Sequence, residues 1–464
     1  MYFIYSLVLA IGAVFLAPFA LLRHFRAAQE DRNLASRFGR VPPEVLEKGE
    51  GSIWLHAVSV GEALAALPFA RRLKETFPNR ALLISTVTVT GQKIARERFD
   101  FADAIFYFPF DWTWVARRVL RTLKPHAVVV VETEIWPNFL REARREGIAV
   151  IFANGRISDR SFRRHESLLK IGAFLTRRFY KNVLGNARLF LMQSETDAAR
   201  VKALGAPAER VIVTGNLKYD SQVPPETPFQ LWLEKSAART DRRPLIVAGS
   251  VTAGEEPLVL IAFGVLQGQM RNALLVLAPR KPERFEAAAQ HIEESQRSFI
   301  RRSQLKLNAD GTADVAELPA SVSVILLDSI GELAGLYRLA DAVFVGGSLV
   351  PAGGHNILEP AGFGKPPVFG TSMENFQDVA RMFLSHGAAR QVENPEDLGV
   401  AWIEMVQDKD ETSRMGELAR KLMDENRGAT ERTVQQVVDA LATDGTPALI
   451  AAPVATPVKS QDHA

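Results

Sequence analysis

The sequence predicts an α/β protein with two doubly wound, Rossmann-like domains facing a cleft and an N-terminal transmembrane helix. Three observations predict it. Short β-branched runs alternate with amphipathic stretches along most of the 464 residues. That alternation lapses over residues 221–243 and then restarts, and residues 1–22 carry no charge. A chain this long exceeds one ordinary core, so two domains of roughly 200 residues are expected.

The first segment reads MYFIYSLVLAIGAVFLAPFALL. As a helix it reaches about 33 Å, against a hydrocarbon core of about 30 Å, and Tyr2 and Tyr5 stand where interfacial aromatics belong. A cleaved signal peptide is the rival, but no charged stretch precedes the apolar run and no small-x-small site follows it. Arg23, His24, Arg26 and Arg32 come next, so the positive-inside bias leaves residues 23 onward in the cytoplasm, at the inner face of a membrane.

From there SIWLHAVS, ALLISTVT, AIFYFPF, AVVVVETE, AVIFANG, LFLMQS and VIVTGN read as buried parallel strands of a domain over residues 23–220. Glu62 to Phe77 and Trp114 to Leu123 have the helical periodicity expected of the layers covering them. Prolines and charges mark residues 221–243 as a linker. PLIVAGS, ALLVLAPR, VSVILLD, AVFVGGS and PVFG then build a second domain over 244–442, helical from Asp410 to Leu441. The Ala-, Pro- and Thr-rich residues 443–464 read as a disordered tail. Ligands of such sheets bind beyond the carboxyl ends of the strands, which places the site in the cleft.

Composition narrows the chemistry. With 47% hydrophobic and 23% charged residues the chain is globular, and a net charge of +3 implies a basic surface. The absence of cysteine excludes disulfides, thiolate nucleophiles and thiolate metal ligands. The eight histidines show no metal-binding spacing. Glu132-Thr133-Glu134 and Asp408-Lys409-Asp410 are formal acidic pairs, but Lys409 opposes a cation. No metal and no cofactor are expected.

Candidate residues sit where strands end. VGGSLVPAGGHNILEPAGFG, residues 345–364, joins a strand exit, glycines and a helix start near His355. Glycines admit a ligand to the backbone, helix-terminal N–H groups favour a phosphate, and Asn356 and Glu359 share a face on which a carboxylate accepts ribose hydroxyls. A plain glycine-rich turn, with Glu359 favoured only by the dipole, is the alternative. Glu62 closes HAVSVGE after the first strand, as a general base or as a helix-terminal carboxylate. Glu132 closes VVVVE, where it either orients a substrate or meets solvent. Lys218 in GNLKYD and Arg280 in APRKPERF are strand-end cations suited to phosphate or carboxylate, or ordinary surface charges. Ile330, Gly331 and Glu332 in DSIGEL offer another junction whose backbone could meet a base or phosphate.

Between Arg156 and Lys181, Arg160, Arg163, Arg164, Lys170, Arg177 and Arg178 interleave with Phe162, Leu168, Phe174 and Phe179. After an apolar anchor, such a stretch attracts anionic headgroups at about 1 kcal/mol per cation. Nucleic acid is the competing ligand and a solvated helix face the plain alternative; the anchor favours lipid and speaks against nucleic acid.

Taken in order, SVGE at Glu62, VVETE at Glu132, GNLKYD at Lys218, APRKPERF at Arg280, IGEL at Gly331 and GGHNILEPAGFGKP at Glu359 resemble the 3-deoxy-D-manno-oct-2-ulosonic acid (Kdo) transferases, from the anchor to about residue 430. The resemblance implies a GT-B fold and inverting transfer of Kdo from CMP-Kdo to a lipid A precursor (lipid IVA), in lipopolysaccharide core biosynthesis at a Gram-negative inner membrane. It makes 23–220 the acceptor-binding domain and 244–442 the CMP-sugar domain. It implies Glu62 as general base and Glu132 and Lys218 as transition-state stabilisers, with Pro279, Arg280, Ile330, Gly331, Glu332, Asn356, Ile357, Leu358 and Glu359 holding CMP. Lys281 stands where the family commonly has His, and Ile330 where Met is usual. Two other activities fit the pattern: an anchored GT-B transferase using a UDP-sugar, and a non-catalytic anionic-lipid-binding protein.

Overall fold

The computed structural model describes residues 1–26, 34–159, 161–164, 173–220, 225–240, 243–308, 310–312, 314 and 317–442. The chain divides into two compact units, unit 1 comprising Met1–Asp220 with Arg427–Ala464, and unit 2 comprising Ser221–Asn426.

Unit 1 holds a seven-stranded sheet of β1 (Ile53–His56), β2 (Leu82–Thr86), β3 (Ala104–Tyr107), β4 (Ala127–Val131), β5 (Ala149–Gly155), β6 (Leu189–Met192) and β7 (Val211–Val213), in the order β3-β2-β1-β4-β5-β6-β7. Every pairing is parallel. β4 shows why: AVVVV is buried throughout, with Val128 and Val130 in one apolar cluster and Ala127, Val129 and Val131 in another. Alternate side chains thus feed two cores, one on each face, and β-branched residues suit a strand covered on both sides.

Unit 2 repeats the plan with β8 (Leu245–Val251), β9 (Leu274–Pro279), β10 (Phe299–Arg301), β11 (Val324–Leu326), β12 (Ala342–Val345), β13 (Pro367–Phe369) and β14 (Arg390–Gln391), ordered β10-β11-β9-β8-β12-β13-β14. Ile246 and Ala248 of β8 enter one core, Leu245 and Val247 the other. β10 and β14 lay outside the expected strands, because three and two residues at a sheet edge carry no readable alternation.

Each sheet has one point where the winding reverses, between β1 and β4 in unit 1 and between β8 and β12 in unit 2. The crevice beyond the strand ends at such a reversal is where open α/β sheets take ligands. Glu62 follows β1 and Glu132 follows β4; the loops leaving β8 and β12 carry Glu255 and Gly346 to His355.

The boundaries differ from expectation in two places. Residues 228–239, expected as linker, form a helix that buries Phe229, Trp232 and Leu233 in a core of unit 2. The helical run expected over 410–441 breaks at Gly428, whose φ is 86°. Its second half, Ala429–Ala442, packs in unit 1 with Val434, Val437 and Leu441 buried there. The Asp220 carboxylate starts that helix, accepting the Gly428 N–H at 2.7 Å and the Thr430 N–H at 2.6 Å. The expected tail, 443–464, lies outside the described residues.

The first helix, α1 (Tyr2–Arg26), also departs from expectation. The Tyr5 hydroxyl donates to Asp111 at 2.9 Å, Asn186 donates to the Tyr2 hydroxyl at 2.9 Å, and Arg141 lies 4.3 Å from the centre of the Tyr2 ring. The tyrosines fasten α1 to the protein. Residues 7–22 then reach only about 24 Å, short of the roughly 30 Å a span requires. Among the described residues no helix is long and apolar enough to cross a membrane, so the expected transmembrane span is not borne out.

Candidate active site

Unit 1 gathers Glu62, Glu132 and Lys218 at its switch point. β1 hands the chain to Ser59, which caps the helix Val60–Thr76 by accepting the Glu62 N–H at 3.4 Å. The carboxylate folds back on the same turn, its Oε1 accepting the Ser59 hydroxyl at 2.9 Å and its Oε2 the Val58 N–H at 2.8 Å. Ser59 and Glu62 thus close the first turn on each other, a variant of the capping box in which the carboxylate takes the N–H of the residue before the cap, so Glu62 has a helix-terminal role. The electrostatics add to it. Glu62 is only 8% exposed, and burial, followed by the charge of Glu132, outweighs both hydrogen bonds and raises its pKa to about 7.

Glu132 leaves β4 in a left-handed conformation, φ 61°, with its N–H bonded to the Ala153 carbonyl at 2.8 Å. Its Oε1 stands 3.9 Å from Lys218 Nζ, so the carboxylate at this strand end is matched by an ammonium and not simply given to solvent. Burial lowers the Lys218 pKa, Glu132 opposes that shift, and Arg156 reinforces it. Glu134 is held above the usual carboxylate range by burial and then by Glu132. Three carboxylates and one lysine thus share a half-buried site in which a proton can reside on an acid near neutrality.

Sequence reasoning missed Asn154, which closes β5 beside Glu132. It is fully buried with φ 56°, its Oδ1 accepts the Leu217 N–H at 3.0 Å, and its carbonyl accepts the Gln193 amide at 3.0 Å. It therefore pins the turn Leu217–Asp220 that carries Lys218. The Asn-Gly pair ending AVIFANG was the available signal, because Asn tolerates the left-handed region better than most side chains.

Unit 2 gathers a second cluster. Pro279 ends β9 buried, and Arg280 follows exposed, its N–H bonded to the Val251 carbonyl at 2.8 Å. Asn356 donates to Glu359 at 3.3 Å and accepts the Leu358 N–H at 3.2 Å. Burial raises the Glu359 pKa, while Asn356 and then Arg280 pull it back. The helix expected near His355 begins at Leu358 and runs only to Ala361, so the dipole argument weakens and Asn356 and Ile357 lie before the helix. Ile330 is 58% exposed and Gly331 has φ 95°, whereas the Glu332 carboxylate is taken by Arg302 at 2.9 Å and by Ser329. The Glu332 carboxylate is thus committed within the protein, which leaves the Ile330 side chain and the backbone of that junction for a ligand.

Two unpredicted residues shape this cluster. His355 packs on Gly347, where a Cβ would come within 2.7 Å of its ring, and its Nε2 is buried without a hydrogen-bond partner. Burial, then Arg280, lowers its pKa to about 4, keeping the imidazole neutral. Glu255, buried at 0% exposure, gathers the N–H groups of Thr252 and Gly347 on Oε2 and of Ser348 and Leu349 on Oε1, at 2.6–2.9 Å. It fixes the glycine turn on which His355 rests. SVTAGEE after β8 echoes SVGE after β1, a signal legible in the sequence. Among the described residues no group of three metal-ligating side chains converges.

Residues 32–221 match the family model described as 3-Deoxy-D-manno-octulosonic-acid transferase (kdotransferase). A 3-deoxy-D-manno-octulosonic acid transferase of Haemophilus influenzae is 32% identical over 93% of this chain and 96% of its own length. The C-terminal CMP-Kdo binding domain of WaaA from Acinetobacter baumannii is 29% identical, covering 42% of this chain and 97% of that one, with a TM-score of 0.38. A putative UDP-N-acetylglucosamine 2-epimerase from Listeria monocytogenes shares the two-sheet, GT-B-like fold at a TM-score of 0.54 and 12% identity, over 85% of this chain and 96% of that one. With its strand-end acids and cations set at both switch points and a relative of this identity aligned over nearly its whole length, the chain belongs to the 3-deoxy-D-manno-octulosonic acid (Kdo) transferases, a family of glycosyltransferases.

Proposed function

We propose that the protein transfers Kdo from CMP-Kdo to a lipid A precursor with inversion, at the cytoplasmic face of an inner membrane. The observation that carries this reading is the Glu62 carboxyl near pKa 7 beside the Glu132–Lys218 pair. Glu62 takes the proton of a glucosamine hydroxyl, which attacks the anomeric carbon from the face opposite CMP. Lys218, held by Glu132, offsets charge building at the reacting centre. Arg280 and the neutral imidazole of His355 face the departing phosphate, and Pro279, the Ile330–Glu332 backbone and Asn356 to Glu359 hold the nucleotide. Attachment comes from the exposed apolar side of α1, where Phe3 is 78%, Val8 61% and Phe15 75% exposed.

The test is an assay of the purified protein with CMP-Kdo and the lipid precursor, with products counted by mass. Glu62→Gln is expected to bind CMP normally while transfer falls by about 10²- to 10⁴-fold. Unchanged turnover in that variant removes Glu62 as the base.

A further inference from the structure

At the edge where β3 ends, four aromatic side chains form a partly exposed group that the chemistry above does not use. Phe38 lies 5.3 Å from Phe110, 5.4 Å from Trp112 and 6.4 Å from Trp114, ring centre to ring centre, and Trp112 lies 6.1 Å from Trp114. Trp114 is 53% exposed and Phe38 36%, although a folded chain gains by burying such rings. Cations rim them. Arg40 and Arg118 are exposed, the Arg118 side chain running beside Gly39, while Arg37, 5.5 Å from the centre of the Phe110 ring, gives its guanidinium to the Val87 carbonyl.

The same edge receives α1. Tyr2 meets Arg141, in the second turn of the helix Pro137–Arg145; one turn further along α1, Ser6 meets Asn138 in that helix's first turn. So α1 climbs antiparallel to its neighbour and leaves it on the side where β3 and β4 end. Tyr5 is bonded there to Asp111, the residue between Phe110 and Trp112. The exposed apolar side chains of α1, Leu7, Val8, Ile11 and Phe15, continue outward from this junction.

We propose that Phe38, Phe110, Trp112 and Trp114 form a second membrane contact, entering the headgroup layer of an anionic bilayer while Arg40 and Arg118 meet its phosphates. This rests on the membrane attachment inferred above and adds the surface that fixes its orientation. Aromatic rings whose apolar bodies are rimmed by cations match the interfacial layer, where tryptophan is enriched and cations pair with anionic lipid. With α1 alone, unit 1 could swivel about one helix. Two contacts joined through Asp111 hold the strand ends at one height above the lipid.

The experiment uses the full chain with vesicles of phosphatidylethanolamine and phosphatidylglycerol carrying lipids brominated near the top of the acyl chain. Of the six tryptophans, Trp54, Trp232 and Trp402 are buried and Trp136 is half-buried, so surface quenching reports Trp112 and Trp114. The expected result is strong quenching, reduced by more than half in a Trp112→Phe, Trp114→Phe double variant that keeps the rings packed. Phe38→Ser with Trp114→Ser should weaken vesicle partitioning about tenfold, with activity on detergent-dispersed acceptor within twofold of the parent chain. Vesicle binding with unquenched tryptophan overturns the proposal, leaves membrane attachment standing and assigns the face to a protein partner. A chain that ignores these vesicles overturns both, while transfer to dispersed acceptor still tests the chemistry separately.

Discussion

A single carboxyl carries the pH behaviour of unit 1. Glu62 is raised from 4.5 to about 7 because burial and Glu132 disfavour its charge. As a base it must be ionised, so kcat/KM should climb with pH and level off above about 7, and this limb should vanish in Glu62→Gln. Stability runs the other way. A carboxyl whose folded pKa exceeds its unfolded one stabilises the fold fully below the unfolded value, and that contribution is lost as pH rises through the folded one. Between pH 5 and 8 the parent chain should lose roughly 2–3 kcal/mol relative to Glu62→Gln, visible as a widening gap in thermal midpoint. If the gap stays constant, the carboxyl titrates normally. Glu255 makes a separate case, because each of its oxygens is bonded to backbone N–H groups of the glycine turn. Glu255→Ala should cost about 3 kcal/mol in urea unfolding, since it strands several buried donors. A loss under 1 kcal/mol would mean that water replaces the carboxylate.

Elements explain which expectations held. The seven strands of unit 1 were legible because runs such as AVVVV bury both faces and tolerate no polar residue. The places of Glu62, Glu132 and Arg280 beyond their strands were legible because an ionisable side chain at such a strand's exit stands out against the apolar run before it. Asn154 and Glu255 left only local hints, the Asn-Gly pair and the echo of SVGE in SVTAGEE, because what they hold lies in backbone groups distant in sequence: Leu217 for one, Gly347 to Leu349 for the other. The anchor misled for a related reason. Its apolar composition is plain, but Asp111, Arg141 and Asn186, which claim its first turn, come a hundred residues and more later. The basic stretch 156–181 lies partly outside the described residues, yet Arg163, Arg164, Arg177 and Arg178 are exposed. Reversing Arg163 and Arg164 to Glu should raise the KM for the lipid acceptor severalfold and leave nucleotide affinity unchanged. Equal loss of both would count against a docking role.

At the scale of the whole molecule, likeness of fold does not choose the donor, because a nucleotide-sugar epimerase shares the two-sheet plan at 12% identity. The discriminating measurement is inhibition by free nucleotides: CMP should compete with the sugar donor at least tenfold better than UDP, and the reverse order would favour a UDP-sugar transferase. The return of the last helix to unit 1 has a consequence for biosynthesis. Unit 2 is an insertion in the chain of unit 1, whose last structural piece leaves the ribosome only after residue 442 has been made. During translation unit 2 can finish folding while unit 1 still shows a bare apolar strip where Val434, Val437 and Leu441 belong. A released chain ending at Asn426 would therefore present a chaperone with one finished lobe and one open one.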